Sequence, residues 1–343
     1  MSGAFLSGHE PLAVIFGCAG PRLNAEEQAF FRATGPVGFI LFQRNCETPD
    51  QVRELTATLR DAAGKPASPV LIDQEGGRVA RLQPPHWRRY PSAARIAALG
   101  GELAQEAAFL SARLIADDLA TLGISVDCLP VLDLPVAGAD PVIGDRAYGS
   151  EPTVVARLGR AAAEGLLAGG VLPVIKHIPG HGRASVDSHF KLPKVAASLP
   201  TLERTDFAPF RALKDMPWAM TAHVLYEAID PNHPATLSAR VIDTVIRASI
   251  GFDGVLISDD LSMQALGGSI GARARDALAA GCDIVLHCNG DLDEMKQVAS
   301  AATSVTANAK RRLERGEALR VHGVPLDRRA FELRLDELLR VAA

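Results

Sequence analysis

The chain has 343 residues, and its 36 Lys and Arg against 40 Asp and Glu give a net charge of −4 with neutral histidines. This balance argues against a nucleic-acid-binding or membrane-surface protein. With 48% hydrophobic residues, the chain can bury a sizeable core as two average domains or one large α/β domain. No apolar run reaches the roughly 18 residues of a membrane span. The first apolar run is broken at His9, Glu10 and Pro11, which is not typical of a signal peptide.

The cysteines indicate a reducing compartment. Their number is odd and no CxxC pair occurs, so the pattern favours buried free thiols over a disulfide framework or a zinc knuckle. The five positions are Cys18, Cys46, Cys128, Cys282 and Cys288. We therefore expect a cytoplasmic protein.

Short apolar runs alternate with amphipathic segments along most of the chain. The runs are continuous rather than alternating, which is typical of parallel strands buried on both faces. The predicted strands cover 12–17, 37–42, 69–74, 124–130, 172–178, 218–224, 254–260 and 283–289. Thr48, in a capping box with Pro49 at the first helical position, and Ser238 are predicted helix N-caps.

Eight strands, mostly followed by helices, predict an α/β fold: a single-domain (β/α)₈ TIM-type barrel. No linker or compositional break divides the chain, so residues 1–343 are predicted to form one catalytic domain, with C-terminal helices after about residue 290. The alternative is a doubly wound open sheet, because the order of the strands cannot be read from the pattern.

Most of the predicted strands end in ionisable or polar side chains. Barrel enzymes build their sites at the C-terminal ends of the strands, and buried strands have little structural use for so many charges at one rim. The residues at these ends are Asp73, Asp133, Lys176, His177, His223, Asp259, Asp260, His287 and Asn289. We interpret this rim as an active site.

The segment "GHGRASVDSH" places Asp187 two residues before His189, on a stretch with no helical or strand period. In an extended Asp-Ser-His segment the two side chains project to the same side. A carboxylate beside one imidazole nitrogen fixes the tautomer and raises the basicity of the other. The segment therefore predicts a proton-transfer pair on a loop that glycines allow to move. The alternative is a loop capped by Asp187 with an exposed histidine.

Further candidates lie at strands 3 and 7. Asp259 and Asp260 are adjacent on a strand, so only one can face the barrel mouth. A carboxylate there suits nucleophilic attack on an electrophilic carbon, and we expect Asp260 to cap the following helix. Near strand 3, "LIDQEGGRVARL" pairs Asp73 with Arg78 and Arg81, for sugar binding or as an internal salt bridge.

A metal-dependent barrel hydrolase is a competing interpretation. Its ligands would come from His177, His181, Asp187, His189 and His223. The first strand, however, lacks the His-x-His pair that amidohydrolase-like barrels carry, and there is no HExxH motif. A phosphate-binding barrel is less favoured, because the strand-8 loop "HCNGDLDE" places acids where phosphate would lie.

The motifs together resemble the bacterial β-N-acetylhexosaminidases of glycoside hydrolase family 3. They occur in this order: "DQEGGRV", "VIGDRAYG", "KHIPGHG", "DSH", "MTAHV" and "ISDDLSM". The resemblance runs from about residue 12 to 290, and Ile178 replaces the usual Phe of the family's KHFPGHG motif. It implies Asp259 as nucleophile, His189 as acid/base and Asp187 as its assistant. It also implies that the non-reducing sugar is bound by Asp73, Arg81, Arg146, Lys176 and His177.

The single-domain members that this chain resembles most remove N-acetylglucosamine from 1,6-anhydro-N-acetylmuramic acid muropeptides during cell-wall recycling. We therefore expect a muropeptide or N-acetylglucosaminide substrate, no cofactor and no metal. We also expect a monomer that binds neither nucleic acid nor membrane. Histidine replaces the second carboxylate of the general retaining template. Phosphorolysis by the same residues is an alternative to hydrolysis, and a non-catalytic muropeptide sensor is disfavoured by the intact nucleophile.

Overall fold

The computed structural model describes residues 10–320 and 325–341. Eight parallel strands form a closed barrel in which each strand pairs with the next along the chain and the last pairs with the first. The predicted (β/α)₈ barrel is thereby confirmed, and the open sheet is excluded. The strands are β1 Leu12–Phe16, β2 Pro36–Leu41, β3 Val70–Ile72, β4 Val126–Asp127, β5 Leu172–Ile178, β6 Trp218–Thr221, β7 Val255–Asp260 and β8 Ile284–His287.

Helices surround the barrel. They cover Ala25–Thr34, Pro49–Ala63, Ala93–Ala97, Gly101–Thr121, Pro152–Ala168, Leu199–Arg204, Phe207–Ala212, Val241–Ile250, Ile270–Ala280, Leu292–Ala301, Ala307–Glu317 and Arg328–Val341. The last three lie after residue 290, where final helices were predicted. None of the helices in the described part of the chain is both long and apolar enough to cross a bilayer.

Alternation along each strand divides the core into two layers. Ile15 and Ile257 belong to the cluster that fills the barrel. Phe16 belongs to the outer cluster between strands and helices, where its ring packs against that of Phe31. Both faces of the strands are therefore buried, which explains why they read as continuous apolar runs.

Strand β4 is shorter than predicted. Only Val126 and Asp127 pair in the ladder, whereas the apolar pattern covers 124–130. Proline at position 130 has no N–H to donate to a ladder, and the Leu129–Pro130 peptide is cis. Beyond it the chain stays beside β5 through the bridge between Val131 and Lys176, so Asp133 still arrives at the C-terminal mouth.

Both predicted caps form, one of them only in part. Ser238 Oγ accepts a hydrogen bond from Val241 N, and Thr48 Oγ1 accepts one from Gln51 N. The Gln51 side chain accepts from the backbone of Glu47 instead of from that of Thr48, so the capping box is incomplete.

Two additions to the barrel lie beside its mouth. A short antiparallel hairpin, Gln74–Gly76 with Val79–Ala80, follows β3 directly. A parallel pair, Lys194–Val195 with Leu225–Tyr226, joins the loops after β5 and β6. The hairpin brings arginines over the mouth, and the parallel pair ties down the far end of the loop that carries Asp187 and His189.

Candidate active site

All eight residues predicted for catalysis or sugar binding line one cavity of about 380 Å³ at the C-terminal mouth of the barrel. Apolar side chains, among them Phe42, Met220 and Met263, line the cavity beside them. The eight are Asp73, Arg81, Arg146, Lys176, His177, Asp187, His189 and Asp259. Strand order and register thus bring together groups that lie up to 186 positions apart, from 73 to 259.

The cavity has an ionic floor, which we define as Asp73, Glu75, Arg81, Arg146 and Lys176. Lys176 Nζ lies 2.8 Å from Asp73 Oδ1 and 2.6 Å from Glu75 Oε1. Arg146 binds Glu75 through two hydrogen bonds of 2.8 Å, and Arg81 binds Asp73 at 2.9 Å. The two negative and three positive side chains of the floor therefore sum to one net positive charge beneath the cavity.

Glu75 is the member of this floor that sequence analysis missed. Its side chain is only 4% exposed, and burial by itself raises the pKa of a carboxyl group. The charges of Arg146 and Lys176 outweigh that effect and lower the pKa of Glu75 to about 2. The carboxylate stays ionised and holds both cations in place. The only signal in the sequence was its position in "DQEGGRV", two residues after Asp73.

Arg78 does not pair with Asp73, contrary to the prediction. Its Nε donates to Asp145 Oδ1 at 2.9 Å, and its Nη2 donates to backbone carbonyls of the segment before Arg146. The reason is the hairpin, which turns between Gly76 and Val79 and directs Arg78 and Arg81 to different partners. Arg78 therefore ties the hairpin to the loop that carries Arg146.

Asp259 lies at the end of β7 and lines the cavity. Burial acts to raise its pKa, but the electrostatic effect of the neighbouring His177 and His223 and the N–H of Asp260 outweigh burial, so the pKa lies below its ordinary value. One oxygen, Oδ1, accepts from Asp260 N at 2.8 Å. An ionised carboxylate with an oxygen left for a substrate is what a nucleophile requires.

Asp260 does not cap the following helix, as had been expected. That helix begins at Ile270 and is capped by Ser269. Asp260 Oδ1 accepts from the N–H of Ser262 and of Cys288, and the Ser262 hydroxyl donates to Oδ2. Asp260 instead closes a turn directly after β7 and ties it to the end of β8.

Asp187 and His189 form the predicted pair. His189 Nδ1 lies 2.7 Å from Asp187 Oδ1, and the imidazole is 59% exposed whereas the carboxylate is 26% exposed. Burial acts to raise the pKa of Asp187, but the N–H and ring of His189 outweigh it and lower the pKa. The segment is a turn rather than the extended stretch that was predicted, because Asp187 Oδ1 also accepts from His189 N.

The glycines of the loop are not points of movement. Gly180 and Gly182 are buried, and a Cβ on Gly182 would lie 2.1 Å from the carbonyl oxygen of Leu134. Tyr226 Oη donates to the carbonyl of Gly180. These glycines permit close backbone packing, so the first half of the loop is anchored and the exposure begins at Ser185.

A second buried network supports the first. Asp133 accepts from the backbone N–H of both His177 and His181, and its Oδ2 lies 2.6 Å from His177 Nδ1. The role of Asp133, left open by the sequence, is thus to orient His177 at the cavity wall. His181 is 3% exposed, and its Nε2 lies 3.0 Å from the hydroxyl of Ser188.

His223 and His287, the other histidines at strand ends, are buried beside the cavity without lining it. His223 bridges the hydroxyl of Thr236 and the carbonyl of Asp260. His287 Nε2 lies 3.0 Å from Glu294 Oε2, in the helix that follows β8. Within residues 10–320 and 325–341, no group of three or more His, Cys, Asp or Glu side chains is placed to hold a metal ion.

The chain matches known proteins over most of its length. Residues 11–317 match the glycosyl hydrolase family 3 N-terminal domain. A β-hexosaminidase from Alkalilimnicola ehrlichii is 41% identical over 283 residues, which are 80% of each chain. The crystal structure of NagZ from Neisseria gonorrhoeae in complex with N-trifluoroacetyl-D-glucosamine superposes with a TM-score of 0.85 at 33% identity, covering 97% of this chain and 99% of that one.

A structure of the same gonococcal protein in complex with zinc ion superposes with a TM-score of 0.84 at 32% identity, over 97% of this chain and 99% of the other. The match of more than 300 residues to one family, and the identity to curated β-hexosaminidases, agree with the cavity described above. The chain therefore belongs to glycosyl hydrolase family 3 and is a glycoside hydrolase of the β-N-acetylhexosaminidase type.

Proposed function

We propose that this enzyme removes terminal β-1,4-linked N-acetylglucosamine from muropeptides in cytoplasmic cell-wall recycling, with retention of configuration. One observation carries the proposal: an ionised Asp259 and the Asp187–His189 pair line the same cavity. A nucleophile and a proton carrier on one substrate are the two requirements of double displacement. Because one chain supplies every group, a monomer suffices.

The ionic floor provides the sugar site in this proposal. Asp73 and Lys176 offer one acceptor and one donor to neighbouring hydroxyls, and Arg146 and His177 line the cavity beside them. Charged partners hydrogen-bond hydroxyls more strongly than neutral ones do. The gonococcal relative, crystallised with an N-acylated glucosamine, supports an amino sugar as the occupant.

In the first step, an oxygen of Asp259 attacks the anomeric carbon while His189, protonated on Nε2, gives its proton to the departing glycosidic oxygen. The C–O bond to the aglycone breaks and an ester to Asp259 forms. In the second step, neutral His189 takes a proton from water, which attacks the same carbon and releases Asp259. Asp187 accepts from Nδ1–H throughout, so the imidazole keeps Nε2 toward the substrate.

Two measurements test the proposal. Incubation with a 2- or 5-fluoro N-acetylglucosaminyl donor, followed by peptide mass spectrometry, should place the sugar on Asp259. Hydrolysis of N-acetylglucosaminyl-1,6-anhydro-N-acetylmuramic acid, followed by NMR, should first release the β-anomer. A label on another residue would refute the nucleophile, and first release of the α-anomer would refute retention.

Phosphorolysis is the second candidate, and one observation favours it. His189 is 59% exposed, and once it has given up its proton it carries no negative charge to repel phosphate. Water is nevertheless the abundant acceptor, and we expect hydrolysis. Product analysis in millimolar phosphate distinguishes the two reactions. Free N-acetylglucosamine as the main product supports hydrolysis, whereas N-acetylglucosamine 1-phosphate as the main product would identify the enzyme as a phosphorylase.

A further inference from the structure

A second cavity of about 680 Å³ lies next to the active site, between the β3 hairpin and the C-terminal helix Arg328–Val341. Its charged lining consists of five arginines and two aspartates. The arginines are Arg78, Arg88, Arg89, Arg95 and Arg340. In a chain whose net charge is −4, this is a local concentration of positive charge, which we call the arginine cavity.

Two of the five arginines are neutralised within the protein. Arg78 pairs with Asp145 at 2.9 Å, and Arg88 pairs with Asp336. Arg89, Arg95 and Arg340 are exposed, and no acidic side chain of the described residues pairs with any of them. The lining of the cavity therefore carries a surplus of three positive charges, and none of the acidic side chains in residues 10–320 and 325–341 neutralises it.

The arginine cavity adjoins the active site. Arg78 lines both cavities, while Gly77 before it faces the arginine cavity and Val79 after it faces the active site. The turn of one short hairpin thus separates the two. A substrate extending beyond the sugar site needs to pass only this turn to enter the arginine cavity.

We propose that the arginine cavity binds carboxylate groups of the peptide attached to the aglycone. This inference rests on the proposed function, since it requires a muropeptide in the active site. Guanidinium groups bind carboxylates in a planar, two-pronged geometry. An extended peptide advances about 3.3–3.6 Å per residue, so a peptide of roughly four residues reaches about 14 Å from the aglycone.

The test compares three substrates that share one disaccharide: without a peptide, with an acidic peptide, and with the same peptide amidated at its carboxylates. The variant replaces Arg89, Arg95 and Arg340 with Gln. The control replaces Arg157, Arg240 and Arg329 with Gln. These three arginines are exposed and do not line the cavity, so the control loses three positive charges at other places on the surface.

For the acidic substrate, kcat/KM should fall about tenfold in the cavity variant, as expected from three exposed ion pairs. The amidated and peptide-free substrates should be unaffected in both variants. The preference for the acidic substrate should also shrink in high salt, since exposed charges are screened.

Equal kcat/KM for the acidic and amidated substrates in the unmodified enzyme would overturn the inference. An equal fall in the cavity and control variants would also overturn it, because net charge rather than this cavity would then be responsible. The peptide-free disaccharide reports the proposed function separately. If the enzyme does not hydrolyse this disaccharide, the proposed function itself is wrong, whatever the result for the arginine cavity.

Discussion

His181 Nε2 lies 3.0 Å from Ser188 Oγ, so a buried imidazole of the anchored half of the loop holds the residue between Asp187 and His189. Two backbone bonds act at the same place: Ala265 N donates to the carbonyl of Ser188, and Gln264 N donates to that of His189. Side chain and backbone together fix His189 relative to the segment that follows Asp259.

Ser188→Ala should lower kcat for an unactivated disaccharide about threefold to tenfold, the effect of one lost hydrogen bond. KM should change little, because Ser188 does not line the cavity. Ser185→Ala is the matched control, since Ser185 is exposed in the same loop, and it should behave as the parent enzyme. An unchanged kcat in Ser188→Ala would show that the backbone bonds alone position the loop.

Stability should depend on His181 at acid pH. Burial, with the charge of His177, lowers the pKa of His181 from 6.5 to about 4. Between these values the unfolded chain binds a proton that the folded protein does not, so the free energy of unfolding falls as pH falls from 6.5 to 4. The loss is at most about 3 kcal/mol.

Urea denaturation of the parent and of His181→Gln at pH 7 and pH 4.5 measures this contribution. Glutamine has no proton to gain, and its amide can still reach Ser188. Between pH 7 and pH 4.5 the free energy of unfolding should therefore fall more in the parent than in His181→Gln. A difference independent of pH would contradict the lowered pKa.

His189→Ala should retain substrate binding, but its kcat on substrates with poor leaving groups should fall about 10²- to 10⁴-fold. An aryl glycoside with an acidic phenol needs little protonation, so its rate of glycosylation should fall much less. Asp187→Ala should cost less than His189→Ala, because it removes only the partner at Nδ1. Equal losses on both classes of substrate would remove His189 from the acid role.

Glu75→Gln should destabilise the fold by about 3 kcal/mol, since it leaves Arg146 buried without a carboxylate. It should also raise KM, because Lys176 and Arg146 lose their shared anchor. Glu106→Gln is the control, because it breaks a two-bond pair with the half-exposed Arg334 near the surface and should have a much smaller effect. A Glu75→Gln protein as stable as the control would show that water replaces the ion pairs.

Activity should survive prolonged chelation, since no step above uses a metal and a His189 held by zinc could not carry a proton. Elemental analysis of the purified protein and an assay after dialysis against a chelator test this. Loss of turnover on chelation, restored by one equivalent of a divalent ion, would revive the metal-dependent alternative.

The sequence predicted best those features that depend on residues close together in the chain. Asp187 and His189 are only two residues apart, so their pairing could be predicted locally. Asp259 and Lys176 lie at the ends of recognisable strands, and a barrel brings such strand ends together at its mouth. Their partners were harder to foresee. Asp133 meets His177 across 44 positions and Glu75 meets Arg146 across 71, and such pairs depend on strand register and loop path.

Two errors have the same local cause. Asp260 was expected to cap a helix, and Asp187 and His189 were expected on extended backbone, yet both aspartates accept from N–H groups two residues later. Aspartate stabilises such turns through its own side chain. Where these turns form depends on what the segment packs against, which an apolar pattern does not record.

Asp259, the proposed nucleophile, belongs to the barrel wall, and His189, the proposed proton carrier, belongs to an exposed turn. We therefore expect substitutions at exposed positions around Ser185–Phe190 to change the rate of aglycone departure while leaving the ion pairs of the ionic floor intact. An inhibitor that copies only the sugar meets a floor of buried ion pairs. We expect an inhibitor that also reaches toward His189 to contact a side chain that is 59% exposed and therefore open to groups beyond the sugar.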